Sequence, residues 1–236
     1  PAMLQAVCQA TSSDSSSASL QTEGLRALEK LLTDFPAKVV LQSTPSDADN
    51  NADASWWRVV YGNFAHAKDS VRSSALGLAE RAASLIPEMS SEQRERVHED
   101  AMADLVAEDN GILRTLDLML TGKKKDAAKD ACAAWGWMAR FCGPKIVKDG
   151  HSSSFLKVME SAFAHKTPSI RQAAFQSWVH LACVFDDMNS TLSHPKRLEL
   201  ICRPFRTSWP KDSSIDVRRT AAIAWSHVLL LLSRRG

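Results

Sequence analysis

The sequence predicts an all-α protein built as a HEAT/armadillo-like superhelical solenoid of helix pairs. Three observations lead to this fold class. Apolar residues recur at helical spacing along most of the chain, related segments recur at a period in the forties, and strand-like alternation is almost absent. A period of this length formed by two helices is typical of solenoids, in which each pair buries its apolar face against the next pair.

Each predicted helix places its apolar residues three or four positions apart, so that they share one face. In chain order the stripes are Leu25, Leu28, Leu32 and Phe35; Trp57, Val60, Tyr61 and Phe64; Val71, Ala75, Leu78, Ala82 and Leu85; Val97, Ala101 and Leu105; Ile112, Leu116, Met119 and Leu120; Phe155, Met159, Ala162 and Phe163; Ile170, Ala174, Trp178, Leu181 and Phe185; Leu198, Ile201, Cys202 and Phe205; and Val217, Ala221, Trp225, Val228 and Leu232. Residues 39–41 form the one strand-like run, which is too short to build a sheet.

Helix starts and loops can also be read from the sequence. Thr167 before Pro168 predicts an N-cap followed by proline at the first helical position, and Ser90 with Gln93 forms a capping-box pattern. Residues 11–19, six of them serine, and the polar stretch 43–55 are interpreted as loop or linker. We therefore divide the chain into a helical start with a serine-rich linker, 1–22, and a repeat array, 23–236, which we expect to be a piece of a longer polypeptide.

The repeat is clearest at three tryptophans. The segments 131–135, 174–178 and 221–225 each begin with alanine and end with tryptophan, and Trp135, Trp178 and Trp225 are spaced 43 and 47 residues apart. Helically spaced aromatic residues are usually core residues, so we interpret these three as packing residues between repeats rather than as a binding box.

An arginine precedes the matched alanine by three positions in the second and third segments. Arg171 and Arg218 stand in this relation to the second and third segments, and Arg72 stands in it to Ala75. In the first turn of a HEAT second helix, Arg171 and Arg218 are interpreted as pairing with the carboxylate of a neighbouring repeat rather than with a phosphate. His180 and His227 also recur, two residues after their tryptophans, which predicts a shared packing role.

Composition excludes several classes of protein. With 44% apolar and 24% charged residues the chain is globular, and the longest apolar run of five residues is too short to cross a bilayer. The start of the chain shows no secretion leader, and the five scattered cysteines fit reduced thiols, so we expect no disulfide. No phosphate-binding glycine loop, nucleophile elbow, or CxxC or HxxxH metal-ligand spacing occurs, so the residues themselves indicate no catalytic site, metal or cofactor.

Charge differs between the two halves of the chain. Residues 1–118 contain 10 Lys/Arg and 18 Asp/Glu, whereas residues 119–236 contain 19 and 9. A basic half favours a polyanionic partner, either a nucleic acid or an acidic protein segment.

From about residue 111 to 236 the sequence resembles the N-terminal repeat domain of the Rif-type telomere-associated proteins, the Rap-interacting factors. The residues that carry the resemblance are Phe155-Leu156-x-x-Met159-Glu160-x-x-Phe163, Pro168-Ser169-Ile170-Arg171-x-x-Ala174-Phe175-x-x-Trp178-x-x-Leu181, Lys196-Arg197-Leu198-x-Leu200-Ile201-x-x-Pro204, Arg218 with Ala224-Trp225, and Leu229-Leu230.

This resemblance implies a non-enzymatic nuclear scaffold on chromosomes and telomeres, without catalytic residues, that acts in telomere maintenance, replication timing and the choice of double-strand-break repair route. It implies telomere or chromatin proteins as partners. Type-one protein phosphatase is implied only through regions outside this chain, because the nearest docking-like segment, residues 58–61, ends in Tyr61 rather than Phe or Trp and its apolar residues belong to a helix stripe.

We predict that the basic half binds DNA without sequence preference. Clustered Lys and Arg can neutralise phosphates without a base-reading motif. The candidate residues are Lys123, Lys124, Lys125, Lys145, Lys148, Lys196, Arg197, Arg203 and Arg206, with Lys129 extending the edge formed by the first three. The alternative is a HEAT-repeat adaptor that binds proteins and no nucleic acid.

Overall fold

The computed structural model describes residues 3, 6–8, 11, 17–35, 56–107, 111–122, 125–148, 152–187 and 195–233. Within these residues all regular secondary structure is helical. The chain forms two compact units, Pro1–Ile112 and Leu113–Gly236, which we call unit 1 and unit 2. The predicted all-α class and helix-pair architecture are confirmed.

Unit 1 contains helices α1 (Ala18–Asp34), α2 (Trp56–Asn63), α3 (Asp69–Leu85) and α4 (Ser91–Ala107). Helices α1 and α3 pack on each other, and α2 packs on α3. Apart from Phe35 and the half-buried Leu85, the predicted stripes of this unit are buried: Leu25, Leu28 and Leu32 on α1 face the core, as do the apolar residues of α2. The capping box that starts α4 is also confirmed, because the Ser90 N–H donates to Gln93 Oε1 at 2.9 Å and the Gln93 N–H donates to Ser90 Oγ at 3.2 Å.

Two expectations about the first part of the chain are wrong. Phe35 is 51% exposed, because α1 ends at Asp34 and the chain leaves the helical path before Phe35 can complete the stripe. The loop interpretation of 11–19 fails at its ends, where Thr11 is helical and α1 already begins at Ala18. Ser17 explains this start, since its side chain accepts a hydrogen bond from the Leu20 N–H as an N-cap. The predicted loop 43–55 and the strand-like run 39–41 lie outside the described residues.

Unit 2 begins within α5 (Gly111–Thr121) and continues through α6 (Lys125–Cys142), the short α7 (Lys145–Lys148), α8 (Ser152–Phe163), α9 (Pro168–Asp187), α10 (Pro195–Thr207) and α11 (Ile215–Ser233). Helix α9 begins at Pro168, as Thr167-Pro168 predicts. The central helix α9 packs against α6 on one side and α11 on the other. The second helices of successive pairs thus form a continuous layer within this unit.

Two tryptophans connect the layer to the first helix of the following pair. The Trp135 Nε1–H donates to the Phe155 carbonyl at 2.8 Å, and the Trp178 Nε1–H donates to the Ile201 carbonyl at 3.0 Å. Their rings are parallel, with centroids 5.7 Å apart, and both are buried. Trp225 differs: it is half-buried and packs on Phe205 at 5.1 Å between centroids. The three tryptophans, although equivalent in the repeat, are therefore buried to different extents.

Between the two helices of a pair, the loops share one hydrogen-bond pattern. His66 Nδ1 accepts from the Lys68 N–H, His165 Nδ1 accepts from the Thr167 N–H, and Asp212 Oδ1 accepts from the Ser214 N–H. In each loop the backbone carbonyl of the same residue accepts from an arginine six positions later, and these arginines are Arg72, Arg171 and Arg218. A histidine ring nitrogen here replaces the carboxylate oxygen that an Asx turn uses.

The helices α6 and α9 approach closely at Gly136. A Cβ at this position would lie 2.6 Å from Cδ2 of His180 and 3.2 Å from Cβ of Ser177. The His180 ring packs on Trp137, with centroids 4.2 Å apart, and burial together with the Arg140 cation lowers the pKa of His180 to about 4. His227 is exposed instead. The predicted shared packing role of the two histidines is wrong, because only His180 lies opposite a glycine that admits its ring.

Candidate nucleic-acid interface

The candidate DNA-contacting residues near α6 and α7 are spread over several short segments. Lys123 and Lys124 lie outside the described residues, and so do the side chains of Lys125, the first residue of α6, and Lys148, the last residue of α7. Lys145 begins α7 and is half-buried.

Beside this group, Lys129 is exposed on the first turns of α6 and lies 3.1 Å from an Asp126 carboxylate oxygen. An exposed pair of this kind leaves the lysine accessible to an anion.

The remaining candidates lie together on α10. This helix starts at Pro195, and its apolar side, with Ile201, Pro204 and Phe205, is buried in unit 2. Lys196, Arg203 and Arg206 are exposed and Arg197 is half-exposed. Residues seven apart lie on the same side of a helix, so Lys196 and Arg203 share one face, and Arg206 follows Arg203 by nearly one turn. We call Lys196, Arg197, Arg203 and Arg206 the α10 basic cluster.

Two carboxylates moderate the charge of the α10 basic cluster. Glu160 on α8 lies 3.5 Å from Arg203, and both side chains are about two-thirds exposed, at 63% and 65%. Glu199 lines a cleft of about 300 Å³ together with Arg203, Arg206 and Thr207. Solvent screens an exposed ion pair strongly, so phosphate oxygens can replace Glu160 at little cost. The cluster is a mixed surface with an excess of positive charge.

Arg206 also affects the thiol beside it. Burial raises the pKa of Cys202, and the Arg206 cation partly offsets this rise.

Sequence reasoning missed several other exposed cations of unit 2. Lys157 on α8, Lys166 in the loop before α9, Lys211 in the loop before α11 and Arg219 on α11 are all exposed. Arg219 lies 3.6 Å from Asp216 on its own helix. For Lys157 and Arg219, the signal that could have identified them is their position in the helical period, because each falls outside the buried face of its helix.

Arg171 and Arg218 are occupied by structural contacts. Arg171 donates to both carboxylate oxygens of Asp212, at 2.6 Å and 2.9 Å, and its side chain is 14% exposed. Hydrogen bonding between the two groups raises the pKa of Arg171 and lowers that of Asp212. Arg218 donates to the backbone carbonyl of Asp212 at 2.6 Å. These guanidinium groups are committed to the loop between α10 and α11.

The phosphatase-docking-like segment 58–61 lies in α2, where Val59, Val60 and Tyr61 are buried. Its interpretation as a core segment is confirmed. In the part of the chain that the structure describes, there is no group of three His, Cys, Asp or Glu residues that could hold a metal ion. No helix among the described residues is both long and apolar enough to span a membrane.

In unit 2 the helix pairs stack on one another, and arginines donate to the loops between the two helices of a pair. Helix α10, the first helix of its pair, carries the basic cluster. This arrangement is that of a helical-repeat protein. The chain belongs to the family described as Rap1-interacting factor 1 N terminal, which matches residues 2–233. This membership makes it a telomere- and chromatin-associated type of protein, with partners among telomere and chromatin proteins. The family and the all-helical fold fit a non-catalytic scaffold.

Comparisons with other proteins add little to this assignment. Among curated proteins, none matches the chain significantly. A crystal structure of an engineered protein matches with 15% identity and a TM-score of 0.35, covering 97% of each chain. A second engineered protein matches with 17% identity and a TM-score of 0.41, covering 95% of this chain and 98% of its own. Neither likeness carries a functional argument.

Proposed function

We propose that the protein is a non-catalytic nuclear scaffold that binds DNA without sequence preference and acts in telomere maintenance, replication timing and the choice of double-strand-break repair route. The observation that supports DNA binding best is the α10 basic cluster, which places four cations on one short helix with three of them exposed. Contacts of this kind go to phosphate oxygens and carry no sequence information.

Further cations extend the proposed surface. Lys157 lies on α8, the helix whose Glu160 reaches Arg203, and the Lys123–Lys125 run with Lys129 supplies a second basic segment at the start of α6. If about four to six phosphates are contacted, log K should fall against log salt with a slope of roughly −4 to −5, because each neutralised phosphate releases condensed counterions.

The test is duplex binding measured by fluorescence anisotropy from 50 to 300 mM salt. The variant K196E/R197E/R203E/R206E should lose at least ten-fold in affinity at about 100 mM salt and flatten the salt slope. The matched control R26E/K68E/R81E/R96E removes four exposed cations of unit 1 and makes the same change in net charge. Equal losses in the two variants would mean that only the total charge matters, and unchanged binding in the first would refute the α10 assignment.

The second candidate is a protein-binding adaptor that makes no contact with nucleic acid. The observation that favours it is the presence of Glu160 and Glu199 among the arginines of the α10 basic cluster, since a purely phosphate-binding surface gains nothing from carboxylates. This candidate predicts no duplex binding by the full chain at 50 mM salt, whichever variant is used.

A further inference from the structure

A cleft of about 320 Å³ lies between α8 and α10, with Trp178 of α9 at its base. Apolar side chains form most of its wall, including Leu156, Phe163 and Leu200. Its volume is at the lower limit for ligand pockets, so it admits one large side chain rather than the surface of a folded domain. The size of the cleft therefore suits a single apolar anchor residue.

The cleft adjoins the α10 basic cluster. Arg203 and Thr207 line both this cleft and the cleft of about 300 Å³ that contains Arg206. The apolar cleft therefore lies next to the guanidinium groups of Arg203 and Arg206 on α10. A phosphate backbone has no apolar group that could fill the cleft. A peptide with an apolar side chain and a carboxylate can fill the cleft and also pair with the guanidinium groups.

The ion pair between Glu160 and Arg203 joins α8 to α10 at the mouth of the cleft, with 3.5 Å between the charged atoms. Because both side chains are mostly exposed, the pair contributes little to stability and exchanges easily with an incoming carboxylate. The excess of Lys and Arg over Asp and Glu in residues 119–236, 19 against 9, also favours an acidic partner.

We propose that the α8–α10 cleft binds a short acidic peptide segment of a partner protein. One large apolar side chain of the segment enters the cleft over Trp178, and a carboxylate three or four positions away pairs with Arg203 and Arg206. This inference goes beyond DNA binding, because it assigns the apolar surface next to the cluster to a different class of ligand.

The experiment selects peptides on the full 236-residue chain from a random 12-residue library displayed on phage. The selected sequences should be enriched in Trp, Phe or Leu with Asp or Glu three or four positions away, relative to the input library. Labelled synthetic copies are then titrated by fluorescence anisotropy, together with copies in which the apolar anchor is replaced by Ser or the acidic residue by Lys. Each replacement should weaken binding at least five-fold.

Ala164→Arg fills the edge of the cleft from an exposed position and should weaken peptide binding at least ten-fold. Ser153→Arg adds the same charge at an exposed position of α8 outside the cleft and should change it less than two-fold. Duplex binding should remain within two-fold for both, which separates this inference from the proposed function. The inference is overturned if no apolar and acidic pattern is enriched, or if Ala164→Arg leaves peptide affinity unchanged while circular dichroism shows the parental helical signal.

Discussion

Arg171 holds both carboxylate oxygens of Asp212, at 2.6 Å from Nε and 2.9 Å from Nη2, although the two residues are 41 positions apart in the sequence. The contact joins the second helix of one pair to the loop that precedes the second helix of the next. Both side chains are largely excluded from solvent, at 14% and 5% exposure. A bidentate arginine–carboxylate pair fixes orientation as well as distance, so it sets the register in which the pairs stack.

Asp212→Ala should lower the free energy of unfolding by about 2–4 kcal/mol, since it leaves the Arg171 guanidinium without its carboxylate in a poorly solvated place. Urea unfolding followed by far-UV circular dichroism measures the change. Asp216→Ala is the control, because the Asp216–Arg219 pair is exposed and its loss should cost less than about 0.5 kcal/mol. Similar losses in both variants would contradict a special role for the buried pair.

Acidification should destabilise unit 2 in two ranges of pH. Burial lowers the folded-state pKa of His180 to about 4, so the unfolded chain binds the proton more strongly. Stability is then full above the unfolded histidine pKa of about 6.5 and falls by up to about 3 kcal/mol as the pH drops from there to 4. Hydrogen bonding to Arg171 lowers the pKa of Asp212, so its contribution is present above about pH 4 and is lost as the pH falls through the lowered folded value.

The two ranges can be assigned with single variants in urea titrations from pH 7.5 to pH 2.5. His180→Gln should remove most of the loss between pH 6.5 and 4, and Asp212→Asn should reduce the loss at lower pH. His227→Gln provides the control for the first range, because His227 is exposed. Loss of the upper range in His227→Gln rather than in His180→Gln would refute the assignment.

Glycine-to-alanine substitutions should have opposite effects at two helical positions. Gly136→Ala brings a methyl group against His180 and Ser177 and should destabilise unit 2 by about 1–3 kcal/mol, despite the better helix propensity of alanine. Gly77→Ala on α3 meets no atom within 4 Å and should stabilise unit 1 by about 0.5–1 kcal/mol. Thermal and urea unfolding of both variants measure the difference. A stabilising Gly136→Ala would show that α6 and α9 do not need this close approach.

Tryptophan truncations should differ in cost along the repeat. Trp178→Ala removes a buried ring and its hydrogen bond to the Ile201 carbonyl, and it should cost about 3–5 kcal/mol. Trp225→Ala removes a half-buried ring and should cost less than half as much. Trp178→Phe isolates the hydrogen bond, since it keeps an aromatic ring but leaves the carbonyl without the indole donor, and should cost about 1–3 kcal/mol. Equal losses for the two alanine variants would contradict the different burial of the two rings.

Charge reversal at Lys123, Lys124, Lys125 and Lys129 tests the second basic segment. Replacing all four lysines by Glu should weaken duplex binding at about 100 mM salt and reduce the salt slope. The reason is that these cations cluster before and within the first turns of α6, in the basic half of the sequence. The far-UV circular dichroism signal should stay at the parental level. Unchanged duplex affinity would restrict the proposed DNA surface to α10 and its neighbours.

The local features of the fold were predictable from the sequence, because they depend on residues within a few positions of each other. Pro168 starts a helix and Ser90 with Gln93 forms a capping box through contacts inside a single turn. The stripes led to the correct buried faces because helical periodicity determines which residues share a side. The repeat and the family could also be recognised, since matched tryptophans and arginines recur at regular spacing.

Tertiary structure decided what lies opposite each of these residues. His180 and His227 have equivalent places in the sequence, but only His180 meets Trp137 and the gap at Gly136. The carboxylate partner of Arg171 lies in another helix pair. That this partner is Asp212 depends on the relative axial position in which α9 and α11 pack. The cleft beside Arg203 arises in the same way, between helices α8 and α10 that are distant in sequence. Periodicity determines the face of a helix on which a side chain lies, whereas the neighbour of that face is determined only when the helices pack.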